Sequence, residues 1–189
     1  MNVQNQKHTQ NTQNTNDKLY NPKFKTADIK LGYGCNDKCV HCVVEKLRDI
    51  AIKNRHLDLK TDEYLKEIDN VISQGIKRIV VTGGEPTIRK DFPLIIDYIN
   101  KQGIEIFLQT NGRFLSKPEL VDKVKGKIDT YIIALHGPIA PIHDIVTQSQ
   151  HSFDQTVQGI KNIISTGGNI CGKTAVSYTH LRAHETDSY

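Results

Sequence analysis

Residues 75–112 read GIKRIVVTGGEPTIRKDFPLIIDYINKQGIEIFLQTNG, which is a strand-like run, a helical run and a second strand-like run in succession. The β-branched residues of Ile76–Val81 predict one strand, and those of Ile104–Gln109 predict the next. Asp91–Gln102 between them predicts a helix, because its proline lies in the first turn and a glycine follows its end. This order of elements predicts a βαβ unit with two parallel strands.

The same alternation continues on both sides of this unit. Asp62–Gln74 predicts an amphipathic helix that starts with two acidic residues and stops at a glycine. Capping boxes at Ser116 with Glu119 and at Ser152 with Gln155 predict two more helices. Further strands are predicted from near Asp28, over Ile128–Leu135 and from near Asn169. The pattern predicts an α/β protein whose βα units share a parallel sheet, either as a barrel or as an open sheet.

The composition fits one soluble domain. The chain has 189 residues, of which 37% are hydrophobic and 24% are charged. No apolar run reaches the roughly 18 residues of a membrane span, and the N-terminus lacks the apolar segment of a signal peptide, so we expect a cytoplasmic protein that does not cross a membrane. Lys and Arg number 25 against 21 Asp and Glu, and the excess is spread along the chain, which argues against nucleic-acid binding.

The two ends of the chain differ from its middle. The first 20 residues hold five Asn, four Gln and three Thr, so we predict a disordered tail over residues 1–26, with a partner-binding arm as the alternative. Residues 27–175 carry the βα pattern. Val176–Thr186 reads VSYTHLRAHET, which resembles an in-frame translation of a transposase-type sequencing adapter. We therefore predict that residues 176–189 are non-native and that the authentic protein continues past about Ala175.

Polar, glycine-rich or cysteine-rich segments follow four of the predicted strands. They read GYGCNDKCVHC, TGGEPT, QTNG and HGP, in chain order. In parallel α/β proteins the chemistry lies beyond the carboxyl ends of the strands, so these segments predict one shared pocket. Glycine and proline are also ordinary turn residues, and each of the last three segments could by itself be only a turn.

The first of these segments carries three cysteines. Cys35, Cys39 and Cys42 form a C-x₃-C-x₂-C run that can reach three irons of a cubane cluster and leave the fourth iron open to an outside ligand. One alternative is a Cys₃His zinc site that uses His41 or His56. Another is a set of three core cysteines, which the polar residues 36–38 disfavour. Such crowding is not typical of a disulfide framework.

These motifs together resemble the radical S-adenosylmethionine (radical SAM) superfamily. The likeness rests on the cysteine run after a first strand and on Gly83-Gly84-Glu85-Pro86 after a second. It continues through Gln109-Thr110-Asn111-Gly112 and Leu135-His136-Gly137 and covers roughly residues 27–175. The resemblance implies that this region is an incomplete radical SAM core domain. It also implies a partial (β/α)₆ TIM-like barrel, of which the first four to five βα units are present.

The resemblance further implies the cofactors and their contacts. Cys35, Cys39 and Cys42 would hold a [4Fe–4S] cluster whose fourth iron is chelated by SAM. The SAM amino group would meet Gly83, Gly84 and Glu85. Its ribose or carboxylate would lie near Thr110, Asn111 and His136, and its adenine near the backbone of His41. Imidazole at 41 and 136 departs from the family's usual aromatic and serine residues, and a histidine that caps a strand end is the alternative for His136.

The implied activity is reductive cleavage of SAM to a 5′-deoxyadenosyl radical. Its electron donor is expected to be a flavodoxin or a ferredoxin, and its substrate a peptide or a cofactor precursor. The alternative is a non-catalytic iron–sulfur or zinc module on the same fold. Two features stand apart from the motifs: residues 141–147 follow the fourth strand, either at a substrate mouth or as a plain loop, and Cys171 is predicted to be a small buried residue and not a ligand.

Overall fold

The computed structural model describes residues 25–53 and 58–175. Its centre is one five-stranded parallel sheet in which the strands lie in chain order. The strands are β1 (Thr26–Lys30), β2 (Arg78–Thr82), β3 (Glu105–Thr110), β4 (Thr130–Ala134) and β5 (Ile170–Lys173). All five predicted strands are present, within about two residues of their expected starts. Sequential order without a reversal is the arrangement of a barrel, and it confirms the TIM-like interpretation over the open sheet.

Six helices accompany the strands in the described part of the chain. They are α1 (Glu45–Lys53), α2 (Thr61–Ser73), α3 (Phe92–Lys101), α4 (Pro118–Val124), α5 (Ala140–Thr147) and α6 (Ser152–Ser165). Short 3₁₀ turns occupy Pro86–Ile88 and Arg113–Ser116. The sequence patterns predicted α2, α3, α4 and α6. They missed α1, and they interpreted residues 141–147 as a loop or a substrate mouth, whereas these residues lie in α5.

The two faces of the sheet have different roles. Alternate strand residues such as Ile79, Leu108 and Ile133 are fully buried against the apolar faces of the helices. Helix α3 contributes most to this core, since four of its ten residues are buried. Burying each aliphatic side chain contributes on the order of 1.5–3 kcal/mol. The other strand face, which includes Lys30 and Gln109, lines a cavity, so the core lies on one side of the sheet and the open space on the other.

Both predicted capping boxes are wrong. Helix α4 begins after Lys117, and the Ser116 hydroxyl instead donates to the Arg113 carbonyl at 2.7 Å. Helix α6 begins at Ser152, whose hydroxyl donates to Asp144 Oδ1 at 2.7 Å. The S-x-x-E/Q pattern failed because a serine near a helix start has other acceptors within reach.

The described residues, 25–53 and 58–175, contain no helix long and apolar enough to cross a bilayer. The segments 1–24 and 176–189 lie outside them, as does His56. The domain boundaries at 26 and 175 therefore remain predictions.

Replacing Gly159 by alanine tests the close packing of α6. A Cβ there would lie 2.3 Å from the Gly112 carbonyl oxygen and 3.2 Å from Leu115 Cβ. Overpacking of this kind costs about 1–3 kcal/mol, against a helix-propensity gain of about 1 kcal/mol. We expect Gly159→Ala to lower the free energy of unfolding measured in urea by about 1 kcal/mol or more. Gly172→Ala is the control, because its Cβ meets nothing within 4 Å; equal stability of the two variants would contradict the packing argument.

Candidate functional site

One cavity of about 470 Å³ collects nearly all the residues that the motifs singled out. It lies at the carboxyl ends of the strands, on the sheet face that carries no core. The predicted site residues on its lining are Cys35, Cys39, His41, Cys42, Gly83, Gly84, Thr110, Asn111 and His136. Glu85 is the one predicted site residue outside this lining. Four separate segments of the chain thus converge on one space.

The two glycines after β2 lie edge-on against the segment after β1. Gly84 N–H donates to the Gly32 carbonyl at 3.0 Å, and Glu85 N–H donates to the Gly34 carbonyl at 2.8 Å. A Cβ on Gly83 would lie 2.4 Å from the Gly32 oxygen, and one on Gly84 would lie 2.3 Å from the Gly34 oxygen. Only glycine permits this approach of two backbones. The pair is therefore required by packing, whatever else it binds.

Glu85 is buried behind the cavity, and its carboxylate bonds within the protein. Oε1 accepts from Thr87 N–H at 3.0 Å, from the Thr87 hydroxyl at 2.5 Å and from the Thr110 hydroxyl at 2.7 Å. Oε2 accepts from Asn111 N–H at 2.7 Å. Burial raises the pKa of this carboxyl, and the same hydrogen bonds act in the opposite direction. Glu85 thus joins the end of β2 to the end of β3.

The cysteine loop, residues 35–42, is held by backbone bonds to the C-terminal end of α5. Lys38 N–H donates to the Thr147 carbonyl at 2.9 Å, and Val40 N–H donates to the Val146 carbonyl at 3.0 Å. Burial raises the pKa of the Cys35 thiol to about 12, to which the charges of Glu85 and Asp37 add. Burial and Asp37 likewise raise the pKa of Cys39 to about 11. Both thiols are neutral here at physiological pH, and a bound cation would convert them to thiolates.

The donor set of the loop fits an iron–sulfur cluster. Cys35, Cys39 and Cys42 are free thiols that line the same cavity. Within residues 25–53 and 58–175, no three His, Cys, Asp or Glu side chains lie close enough together to hold a single metal ion. A cubane makes a different demand, because each thiolate binds a different iron and the sulfurs surround a body of several atoms.

Three histidines run from the cavity toward the interior. The His41 and His136 rings meet edge to face with centroids 4.6 Å apart, and the His136 and His143 rings stack at 5.7 Å. His136 N–H donates to His143 Nδ1 at 3.1 Å, and Ala175 N–H donates to His136 Nδ1 at 3.3 Å. Burial lowers the pKa of His143. His136 is therefore held by Ala175, which follows β5, and by His143 of helix α5. It also lines the cavity.

Asp144 organises the corner between α5 and α6. Its carboxylate accepts from His151 N–H at 2.8 Å, from Phe153 N–H at 2.9 Å and from the Ser152 hydroxyl at 2.7 Å. It thereby satisfies the start of α6, the role that the sequence pattern gave to Ser152. Of the predicted stretch 141–147, only Thr147 lines the cavity.

Sequence reasoning missed the polar residues on the inner face of the strands. Asp28, Lys30 and Lys173 line the cavity, and Lys173 Nζ donates to Oε1 of Gln109, a residue of the third predicted segment, at 3.1 Å. The sequence did carry a signal for them, because polar residues alternate with apolar residues along these strands and therefore lie on the face opposite the core. The predicted burial of Cys171 is wrong, because its side chain is exposed. It lies on β5, which among the described strands pairs with β4 alone.

Comparison with known proteins gives the family. The family model described as the radical SAM superfamily matches residues 29–184. The chain belongs to the radical SAM superfamily. Its members use a [4Fe–4S] cluster and SAM, which agrees with the cofactors predicted from the motifs.

Curated relatives and solved structures support this membership. The Fe-coproporphyrin III synthase of Methanosarcina barkeri is 34% identical over 149 residues, which are 78% of this chain and 36% of that protein. The mycofactocin maturase MftC of Mycolicibacterium smegmatis is 29% identical over 162 residues, 85% of this chain and 39% of that protein. Streptococcus suis SuiB bound to S-adenosylmethionine has a TM-score of 0.65 at 17% identity, with 83% of this chain and 34% of SuiB covered. The chain thus spans little more than a third of these relatives and shares the fold of SuiB.

Replacing Asp144 by asparagine tests the α5–α6 corner. The amide NH₂ would replace one accepting oxygen and face a donor such as the His151 N–H, so we expect the free energy of unfolding to fall by about 1–2 kcal/mol near neutral pH. Burial raises the pKa of Asp144, but hydrogen bonds from Phe153, Ser152 and His151 outweigh it and hold the pKa below its ordinary 3.8. The contribution of a carboxyl with a lowered pKa is complete above its unfolded value and is lost as the pH falls through its folded value. Urea unfolding at a series of pH values should therefore show the two proteins converging below about pH 4.

The matched control is Asp154→Asn, a change at an exposed carboxylate in the first turn of α6. It should leave the stability within about 0.5 kcal/mol of the parent protein. A stability gap for Asp144→Asn that does not change on acidification would contradict the assigned role.

Proposed function

We propose that this chain binds SAM and a [4Fe–4S] cluster and cleaves SAM reductively. The supporting observation is one shared cavity at the strand ends, which is lined by the three free thiols, by the two glycines after β2 and by Thr110 and Asn111 at the end of β3. In this proposal Cys35, Cys39 and Cys42 hold the cluster. When bound, the cluster would supply a low-potential electron and an open iron that binds SAM. Cleavage of SAM then gives a 5′-deoxyadenosyl radical.

The residues beside the cysteines bind and orient SAM in this proposal. Gly83 and Gly84 present backbone groups to the amino end of the nucleotide, and the internal bonding of Glu85 supports a role in fixing these glycines from behind. Thr110, Asn111 and His136 face the ribose or carboxylate side, and the backbone of His41 meets the adenine. Because the His136 ring is held by Ala175 N–H, its orientation is set before a ligand arrives.

In this proposal the residues that line the cavity shield the reactive centre on the side of the sheet. Inner-face residues of all five strands line the cavity, together with the cysteine loop and Thr147 at the end of α5. A primary radical attacks whatever is near it, so such an enclosure with the substrate prevents side reactions. This is the share of the chemistry that the fold itself supplies.

The names of the relatives support a peptide or a cofactor precursor as the substrate. One relative is an Fe-coproporphyrin III synthase, another is a mycofactocin maturase, and SuiB has been solved with its precursor peptide SuiA. A flavodoxin or a ferredoxin would supply the electron in the cytoplasm. These finer assignments rest on relatives of which this chain spans little more than a third.

Anaerobic reconstitution with iron and sulfide tests the activity. We expect the broad absorbance of a [4Fe–4S] cluster, and release of 5′-deoxyadenosine that requires both SAM and dithionite. The opposite result is stoichiometric zinc with no SAM cleavage, which would identify a metal module that lacks the reaction.

Cys39→Ser tests the ligand assignment. Serine keeps the size of the side chain but removes the soft thiolate that iron–sulfur clusters require, so we expect no stable cluster and no 5′-deoxyadenosine. Cys171→Ser is the matched control, because Cys171 lies on β5 outside the cavity lining, and it should assemble the full cluster. A full-strength cluster spectrum in Cys39→Ser would refute the assignment.

A further inference from the structure

The segment between the first two cysteines is held from outside the loop. Arg113 Nη1 donates both to the Asn36 carbonyl and to Asp37 Oδ1. Asn111 Nδ2 donates to Asn36 Oδ1 at 2.7 Å and to Asp37 Oδ2 at 3.0 Å. We call the side chains of Asp37, Asn111 and Arg113 the Asp37 clamp. Through it, the end of β3 fixes the cysteine loop.

The clamp is largely buried, and its members are hydrogen-bonded to one another. The Asp37 side chain is 1% exposed and that of Arg113 is 14% exposed. Arg113 is itself fixed, since its Nε donates to Gln155 Oε1 at 2.7 Å and its N–H donates to Asn111 Oδ1 at 3.1 Å. In a desolvated site a hydrogen-bonded ion pair has one favourable geometry, because every alternative leaves a buried charge without a partner. The position of Asp37 is therefore determined by Arg113.

Asp37 in turn contacts a cysteine. Its backbone N–H donates to Cys35 Sγ at 3.4 Å. The clamp acts on the side chain of the same residue, so the side-chain bonds fix the direction of this N–H. Hydrogen bonds to ligating sulfurs are one of the factors that set the reduction potential of an iron–sulfur cluster.

We propose that Arg113 is a positioning residue that acts through Asp37 to hold an N–H on the Cys35 sulfur and thereby raises the reduction potential of the bound cluster. An N–H donor draws electron density from the sulfur, which favours the reduced and more negative cluster. The inference rests on the proposed function, because it requires a cluster on Cys35. It assigns a role to a residue that is neither a proposed cluster ligand nor part of the cavity lining.

The test compares three variants with the parent protein. Arg113→Gln removes the cation. The double change Arg113→Gln with Asp37→Asn removes both charges, so no buried charge is left without a partner if the single variant folds poorly. Arg78→Gln is the control, because it breaks another arginine–carboxylate pair, with Glu105 at 2.7 Å, at the opposite end of the sheet.

Two measurements are made on each protein. The first is the midpoint potential of the reconstituted cluster, from a redox titration followed by electron paramagnetic resonance. The second uses the apoprotein and follows the rate of iodoacetamide labelling at each cysteine by mass spectrometry. We expect both clamp variants to have a more negative midpoint potential and a several-fold faster labelling of Cys35, with labelling of Cys171 unchanged. Arg78→Gln should match the parent protein in both.

The outcomes separate the two claims. If the parent protein assembles no [4Fe–4S] cluster, the proposed function fails, and with it the effect on potential. If the cluster assembles and the clamp variants keep the parent potential, the inference is overturned and the proposed function stands. If the clamp only stabilised the fold, the clamp variants would have a lower unfolding midpoint in urea than the parent protein. Their clusters would keep the parent midpoint potential.

Discussion

The site depends on the close contact of two backbones at the ends of β1 and β2. The parallel ladder continues past both strands, from Leu31 N–H on the Thr82 carbonyl at 2.8 Å to Glu85 N–H on the Gly34 carbonyl at 2.8 Å. No side chain fits between the segments, since a Cβ on Gly83 or Gly84 would overlap a carbonyl oxygen. Because Cys35 follows this contact directly, the sheet itself places the first thiol beside the glycine pair.

Two buried carboxylates, Glu85 and Asp37, join these two strand ends to the end of β3. Glu85 bonds to Thr110 and Asn111, and Asp37 bonds to Asn111 from the other side. Both charges also raise the pKa of the Cys35 thiol, after the larger effect of burial. The residues that give the cavity its shape therefore disfavour thiolates within it. A cationic metal group reverses that balance, because it stabilises the thiolates that the carboxylates and burial oppose. The site is thus suited to a ligand that brings positive charge.

The sequence was sufficient for the strands and for the convergence of the motifs, because period-two burial and glycine stops are local signals. It failed where a residue's partner lies outside the local pattern, whether nearby or far along the chain. Ser152 resembled a helix cap, but the acceptor for α6 is Asp144, eight residues earlier. Arg113 comes directly after the Gln109–Gly112 motif in the chain, but no sequence pattern indicated a role for it. Its partner Asp37 is 76 residues away. Glu85 was predicted to contact SAM, and the fold shows that its carboxylate accepts four hydrogen bonds from within the protein.

The cysteine loop is held by hydrogen bonds on two sides, and these bonds affect the free energy of cluster binding. The Asp37 clamp holds it toward β3, and the α5 end holds it through the carbonyls of Val146 and Thr147. That helix end is in turn held by Asp144, which ties it to the start of α6. In small zinc domains the metal supplies the folding free energy and the ligands are unordered without it. Here sheet, clamp and helix corner fix the loop independently of any metal, so the free energy of cluster binding is not spent on ordering the chain.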